Sequence, residues 1–168
     1  MRSVLAVPGR MVRGFVEYGG VWVLVQIVVI VLAVLIPKWT GKSNFIFELE
    51  TVTDVIGMVF AVPGALLSLA SMGFLGRSLS PFPPPPSYSR LRVNGFYAWM
   101  RHPLYTGLIV GSFGLSIWRQ SWVGVAFTVV VFLFFDRKAV VEERLLSERF
   151  PEYADYAQRV HRFFPGIY

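Results

Sequence analysis

The chain has 168 residues, 55% of them hydrophobic, with a mean hydropathy of +0.57. That exceeds the roughly 45–50% of a soluble domain and marks an integral membrane protein. It has no cysteine and two histidines, which excludes disulfides, thiolate zinc sites, iron–sulfur clusters and thiol catalysis and leaves a multi-histidine metal site short of ligands. Its net charge of +6 suits membrane topology and anionic headgroups, and no nucleic-acid-binding motif accompanies it.

The N-terminus is basic (Arg2, Arg10, Arg13), and residues 21–36 form an apolar run broken only by Gln26. The run is too long for a signal peptide and has no small-residue cleavage site before Lys38, so a retained helix is expected, ending at Pro37 and Lys38. Trp22 and Trp39 suit the two interfaces. Residues 38–51 form a short polar loop whose charges cancel. Residues 52–75 form a second span with Asp54 near its start and a kink at Pro63. In it Gly57, Ala61, Gly64, Ser68 and Ser71 recur at helical spacing, which predicts close packing of another helix along that face.

Residues 76–95 break the composition. Pro81 and Pro83-Pro84-Pro85-Pro86 cannot be helical, so the segment is extended or polyproline-like, or else a disordered linker. Residues 104–118 and 122–135 are two further apolar helices joined by Arg119-Gln120-Ser121. Each apolar core of about 15 residues rises about 22 Å, short for a hydrocarbon layer of about 30 Å, which implies longer helices, tilt or local thinning. Gly107, Gly111 and Gly114 lie on one face and seat this hairpin against a neighbour. From Asp136 the chain is charged and helical in pattern, with apolar contacts from Leu145, Leu146 and Phe150. After Pro151 a short helix carries Tyr153, Tyr156, Val160 and Phe163. This tail reads as amphipathic and is expected at the headgroup level.

The expected fold is therefore all-α and polytopic: about four transmembrane helices with a C-terminal hairpin, amphipathic cytoplasmic tail helices and no Rossmann domain. Residues 1–75 form a two-helix region and 76–168 the functional core. The arginines of the N-terminus, of 76–103 and of the tail place both termini and the active site in the cytoplasm by the positive-inside bias.

Three polar sets meet on that side. They are Arg90, Arg92, Tyr97, Arg101, His102 and Tyr105; then Arg137, Lys138, Glu142 and Glu143; then Tyr153, Tyr156, Arg159 and Arg162. Singly, such arginines snorkel and such tyrosines form an interfacial belt. His102 with Glu142 points to function, because ionisable groups at a membrane boundary are costly unless paired or solvated. Glu143 is either a solvated tail residue or a partner of Arg101, and His161 is interfacial.

The run from Asn94 through Arg101-His102-Pro103-Leu104-Tyr105 to Gly107 resembles the signature of isoprenylcysteine carboxyl methyltransferases and their prokaryotic relatives. The downstream Glu142-Glu143-Arg144-Leu145-Leu146, with Phe150, Tyr153, Tyr156, Val160, Arg162 and Pro165, is similar to that family's C-terminal motif. The resemblance covers roughly residues 77–165. It implies S-adenosyl-L-methionine (SAM) as methyl donor, with Arg90, Leu91 and Arg92 along the cofactor. Tyr97, His102, Pro103, Leu104 and Tyr105 would line its pocket, and Glu142 would be the cofactor-binding glutamate. Lys138 falls where family enzymes have an arginine that meets the acceptor. Lysine lacks the bidentate grip on a carboxylate, and Arg137 could substitute. The tail has Phe150-Pro151 where Phe-Gly is usual. Arg137, Lys138 and Glu142 are thus the catalytic candidates, with no metal.

The implied activity is methyl transfer to a lipophilic acceptor, most simply an isoprenylcysteine-like carboxylate, in a prokaryotic plasma membrane and amid membrane lipids. Alternatives are a phospholipid or amine N-methyltransferase, an NADPH-dependent membrane reductase, or a non-enzymatic membrane subunit. The reductases read His-Pro-Asn-Tyr, and this chain has Leu104 in place of the asparagine.

Overall fold

The computed structural model describes residues 19–41 and 50–168. The N-terminal arginines and most of the 38–51 loop lie outside them. The described secondary structure is helical: α1 (Gly20–Thr40), α2 (Glu50–Leu75), α3 (Pro103–Trp118), α4 (Trp122–Arg149) and α5 (Tyr153–Arg159), with 3₁₀ turns at Gly76–Ser78 and Gly95–Ala98. No strand occurs among these residues, only an isolated bridge between Met100 and His161. Helices α1 and α2 are long and apolar enough to cross a membrane, and α3 is a shorter apolar helix of 16 residues.

Two boundaries differ from expectation. Helix α1 runs through Pro37 to Thr40. A proline in the last turn removes one backbone bond, and the turn is secured by Thr40 Oγ1 donating to Ile36 O (2.7 Å) and by its contact with Ser121 Oγ (2.5 Å). Helix α4 continues unbroken from the apolar 122–135 run to Arg149, 28 residues in all. At helical rise it is about 42 Å long, which answers the shortness of its apolar core.

The most extensive packing joins α2 to α3, through the small residues expected to mediate it. A Cβ on Gly64 would overlap the Gly111 backbone, one on Gly114 the Ala61 backbone and one on Gly57 the Trp118 backbone. Backbones therefore meet directly, and Ser68 Oγ donates to Leu104 O across the seam (3.1 Å). The hairpin turn forms at Arg119–Ser121. The buried Ser121 caps α4 by accepting from Gly124 N (2.9 Å).

The core gathers Val29, Tyr105, Ile109, Val131, Phe135, Ala139 and Phe163. Phe163 corrects the expectation for the tail. The short helix ends at Arg159, and beyond it the chain turns into the protein, burying Phe163 completely. Tyr153 and Tyr156 are buried as well. An apolar stripe reads the same whether it covers lipid or protein, and here it covers the functional loop. The main chain completes the closure: Arg101 N donates to His161 O (2.8 Å), His102 N to Arg162 O (3.0 Å), and Thr106 Oγ1 to Phe163 O (3.0 Å).

The proline-rich segment is a strap across α4. Arg149 donates to Pro85 O (3.0 Å) and to Ser87 O, and Lys138 donates to Pro81 O (3.0 Å).

Candidate active site

The site begins with local backbone chemistry. Gly95 sits at φ 61°, where a side chain would be strained, and opens the turn that carries Tyr97 inward. His102 precedes Pro103 and is held out of the helical region (φ −126°, ψ 61°), while Pro103 starts α3 at its first position. The chain turns sharply at His102, so its ring and Tyr105 stack in parallel 5.3 Å apart. On α4, Lys138 and Glu142 lie one turn apart and share a face.

These groups line a cavity of about 350 Å³. Tyr105 Oη donates to Glu142 Oε1 (2.6 Å), and Lys138 Nζ lies 3.4 Å from that oxygen. The Lys138 ammonium is almost fully buried and also bonds Gln26 Oε1 of α1. Much of the rest of the wall is apolar, with Ile30 from α1, Met72 and Leu75 from α2 and Leu104 and Leu108 from α3, beside Ser68 and Arg101. The strap, from Ser78 to Pro86, covers the remaining side.

A second, narrower cavity of about 110 Å³ adjoins it, and Tyr97, Arg101, Leu75 and Leu146 belong to both. Arg90, Leu91 and Arg92 line it with Ser89, Phe150, Tyr153 and Tyr156. Burial, with Tyr156 and Glu142 nearby, pushes the Tyr97 phenol up, and burial does the same for Tyr156, so both stay protonated.

Behind both cavities sits Glu143. It accepts from Arg101 Nε (2.9 Å) and Nη2 (3.2 Å), from Arg162 Nε (3.1 Å) and Nη2 (3.0 Å), and from His102 Nε2 (3.1 Å). Burial alone would raise this carboxyl, but the hydrogen bonds from His102, Arg162 and Arg101 hold it well below the usual carboxylate range. Arg162 continues to Asp136 Oδ1 (2.7 Å). Of the two readings open for Glu143, the partner of Arg101 is the one the structure contains, and its hydrogen bonds tie motif, helix and tail together.

The expected site residues distribute as follows. Tyr97, His102, Leu104, Tyr105, Lys138 and Glu142 line the larger cavity, and Arg90, Leu91 and Arg92, with Tyr97 again, line the smaller. Pro103 is buried behind the wall, and Arg137 is exposed and lines neither cavity. The sequence reading missed Gln26, Ser68, Met72 and the strap as wall. Gln26 carried a signal, as the one polar interruption of its apolar run.

Comparison with known proteins shows the family to which the chain belongs. Residues 52–153 match the phospholipid methyltransferase family. The nickel-cobalt-cadmium resistance protein NccN of Alcaligenes xylosoxydans xylosoxydans is 30% identical over 170 residues, covering 99% of this chain and 74% of that protein. A probable protein-S-isoprenylcysteine O-methyltransferase of Oryza sativa subsp. indica is 38% identical over 80 residues, 46% of this chain and 42% of the rice protein. Protein-S-isoprenylcysteine O-methyltransferase B of Arabidopsis thaliana is 27% identical over 153 residues, 80% of this chain and 78% of the plant protein. The chain thus spans less than half of the rice relative. It belongs to the phospholipid methyltransferase family, as an isoprenylcysteine O-methyltransferase-like methyltransferase.

Proposed function

We propose that this protein transfers a methyl group from SAM to a lipophilic acceptor bearing a carboxylate, of the isoprenylcysteine kind. The observation that carries the proposal is the larger cavity, which apolar side chains from three helices line together with Lys138 and Glu142. The residues present fit the donor. Glu142 suits an ammonium or a ribose hydroxyl, Arg90 and Arg92 suit a carboxylate, and the Tyr97 and Tyr105 faces suit adenine and sulfonium. When bound, SAM supplies an electrophilic methyl group.

The chain's own residues account for the rest. Ile30, Met72, Leu104 and Leu108 hold a lipid chain and exclude water. Lys138 orients an anionic head at the polar end, where partial desolvation leaves the oxygen more reactive. A carboxylate is already a nucleophile and needs no general base. An amine acceptor, such as a phospholipid amine, would need one. Glu143 is a poor candidate because its carboxylate is committed to Arg101, Arg162 and His102, and the buried Lys138 ammonium disfavours a cationic head. Four spans with a cytoplasmic site, in a prokaryotic plasma membrane, complete the proposal. It is supported by the arginines of 76–103 and of the tail, which gather at the cavity end of the bundle, whereas the opposite hairpin turn carries Arg119 alone.

The test is calorimetric titration of the detergent-solubilised protein with S-adenosylhomocysteine, with NADPH in parallel. Transfer of labelled methyl to N-acetyl-S-farnesylcysteine or to phosphatidylethanolamine follows. Saturable homocysteine-analogue binding lost in Glu142→Gln, with transfer to the farnesylcysteine, supports the proposal. Binding of NADPH alone refutes it, and transfer to the amine lipid refutes the acceptor.

A further inference from the structure

Gln26 is the one polar residue of the apolar run 21–36, and the proposed chemistry has not used it. A polar side chain in such a run is costly unless partnered, and it serves either to join helices or to meet a ligand. Half of Gln26 is accounted for. Its Oε1 accepts from Lys138 Nζ, which ties α1 to α4. An ammonium only donates, so the amide oxygen must be the arm that meets Lys138, and the NH₂ is the arm left over. Among the described residues that NH₂ has no hydrogen-bond partner, and it is not sealed in the interior. Gln26 lines the larger cavity together with Lys138 and Glu142.

The free arm matters because lysine is an incomplete ligand for a carboxylate. The ammonium is a point charge without the fork of a guanidinium, and a carboxylate has two oxygens to satisfy. The Lys138 hydrogens are also contested, by Gln26 Oε1, Pro81 O (3.0 Å) and Glu142 Oε1 (3.4 Å). A carboxylate is a stronger acceptor than a peptide carbonyl and can take the place of Pro81 O, which supplies one bond. Lys138 and Glu142 are together neutral, so the pair repels a cationic head only in part. A donor of fixed direction adds the missing preference. With its oxygen held by Lys138, Gln26 offers only N–H groups. An ammonium head would find no acceptor on it; a carboxylate would find a donor.

Resting on the carboxylate-acceptor reading above, we propose that Gln26 is a specificity-determining residue, its NH₂ donating to one oxygen of the acceptor carboxylate while Lys138 Nζ meets the other. Two side chains on two helices then grip the carboxylate from both oxygens, and α1 joins the site instead of only walling it.

The experiment is calorimetric titration of N-acetyl-S-farnesylcysteine into the detergent-solubilised full chain saturated with S-adenosylhomocysteine, which reads binding without turnover. The variants are Gln26→Met, Gln26→Glu, Lys138→Met and the Gln26→Met, Lys138→Met pair. Gln26→Glu keeps an acceptor for Lys138 and removes the donor. Farnesylcysteine affinity is expected to fall about tenfold or more in both Gln26 variants, the effect of losing a hydrogen bond to a charged group. The double variant should bind at least about threefold more weakly than Lys138→Met, because Gln26 acts on the acceptor directly. S-adenosylhomocysteine affinity should stay within about threefold in the Gln26 variants, which also shows that they fold. The methyl ester of the same farnesylcysteine carries the lipid without the charge, and its affinity should change little in Gln26→Met. Parent-like farnesylcysteine affinity in Gln26→Glu, or a double variant equal to Lys138→Met, would mean that Gln26 only holds the lysine and would overturn the assignment. Equal weakening of acid and ester would place Gln26 on the lipid chain and overturn it too, as would loss of S-adenosylhomocysteine binding in Gln26→Glu. Each of these leaves the acceptor reading intact. Absence of farnesylcysteine binding to the unaltered protein would overturn both.

Discussion

Replacing Glu143 by glutamine tests whether one carboxylate organises the site. Glu143 accepts five N–H groups from three side chains and is 13% exposed. Glutamine offers one acceptor oxygen and turns its NH₂ toward a guanidinium. At least two charge-assisted bonds are lost, each worth about 1.5–3 kcal/mol. The loss is cushioned, because Arg162 keeps Asp136 and Arg101 keeps the carbonyls of Ala157 and Val160. The net cost should therefore be about 3 kcal/mol, at the low end of the range for breaking a buried pair. For a chain of this length that lowers the melting temperature by about 6–12 °C. Thermal unfolding in detergent, followed by tryptophan fluorescence at pH 7, measures it. A melting temperature within about 2 °C of the parent would refute the argument, since it would mean that the cations are satisfied without the charge.

The same carboxylate sets an acid dependence. Its folded pKa lies below the unfolded value of about 4.3, so its contribution is complete above about pH 5 and is lost as pH falls toward the folded value. Melting temperatures from pH 7 to pH 3 should decline more steeply in the parent than in Glu143→Gln. Gly114→Val forces a side chain into the Ala61 backbone and should cost about 1–3 kcal/mol or more, whereas Gly73→Ala, with open space at its Cβ, should be neutral or slightly stabilising in the same melt. Lys138→Met should raise the KM for a carboxylate acceptor at least tenfold with S-adenosylhomocysteine affinity within threefold, while Arg137→Ala, exposed and outside both cavities, leaves both unchanged in the labelled-methyl assay.

The helices and the small-residue seam were legible in the sequence because hydrophobic periodicity and glycine spacing are local signals. Gly57, Ala61 and Gly64 announced a close helix contact on their face, which α3 makes, and the Arg101-His102-Pro103 motif pointed to the cavity that His102 lines. Local signals do not say which partner an amphipathic stripe will find. The tail with Tyr153, Tyr156 and Phe163 read as amphipathic and lying at the headgroup level, yet these rings are buried over the motif, because covering the loop satisfies the same apolar pattern. Glu143 was equally ambiguous, since its partners are 42, 41 and 19 residues away. The order of the strap also escaped composition. Prolines report what a segment cannot be, and here the cations on α4 decide where it lies.

The strap has a one-sided chemistry. From residue 81 to 86 the sequence is Pro-Phe-Pro-Pro-Pro-Pro, so a single amide proton is present, and Phe82 N gives it to Ser80 Oγ within the segment (3.1 Å). The strap therefore docks on α4 only as an acceptor, through the carbonyls that meet Lys138 and Arg149. Lifting it would strand none of its own donors, and water would solvate its carbonyls at once. The polar part of that docking therefore belongs to one rigid helix, whose two cations supply every donor, while the buried Pro83 adds apolar contact.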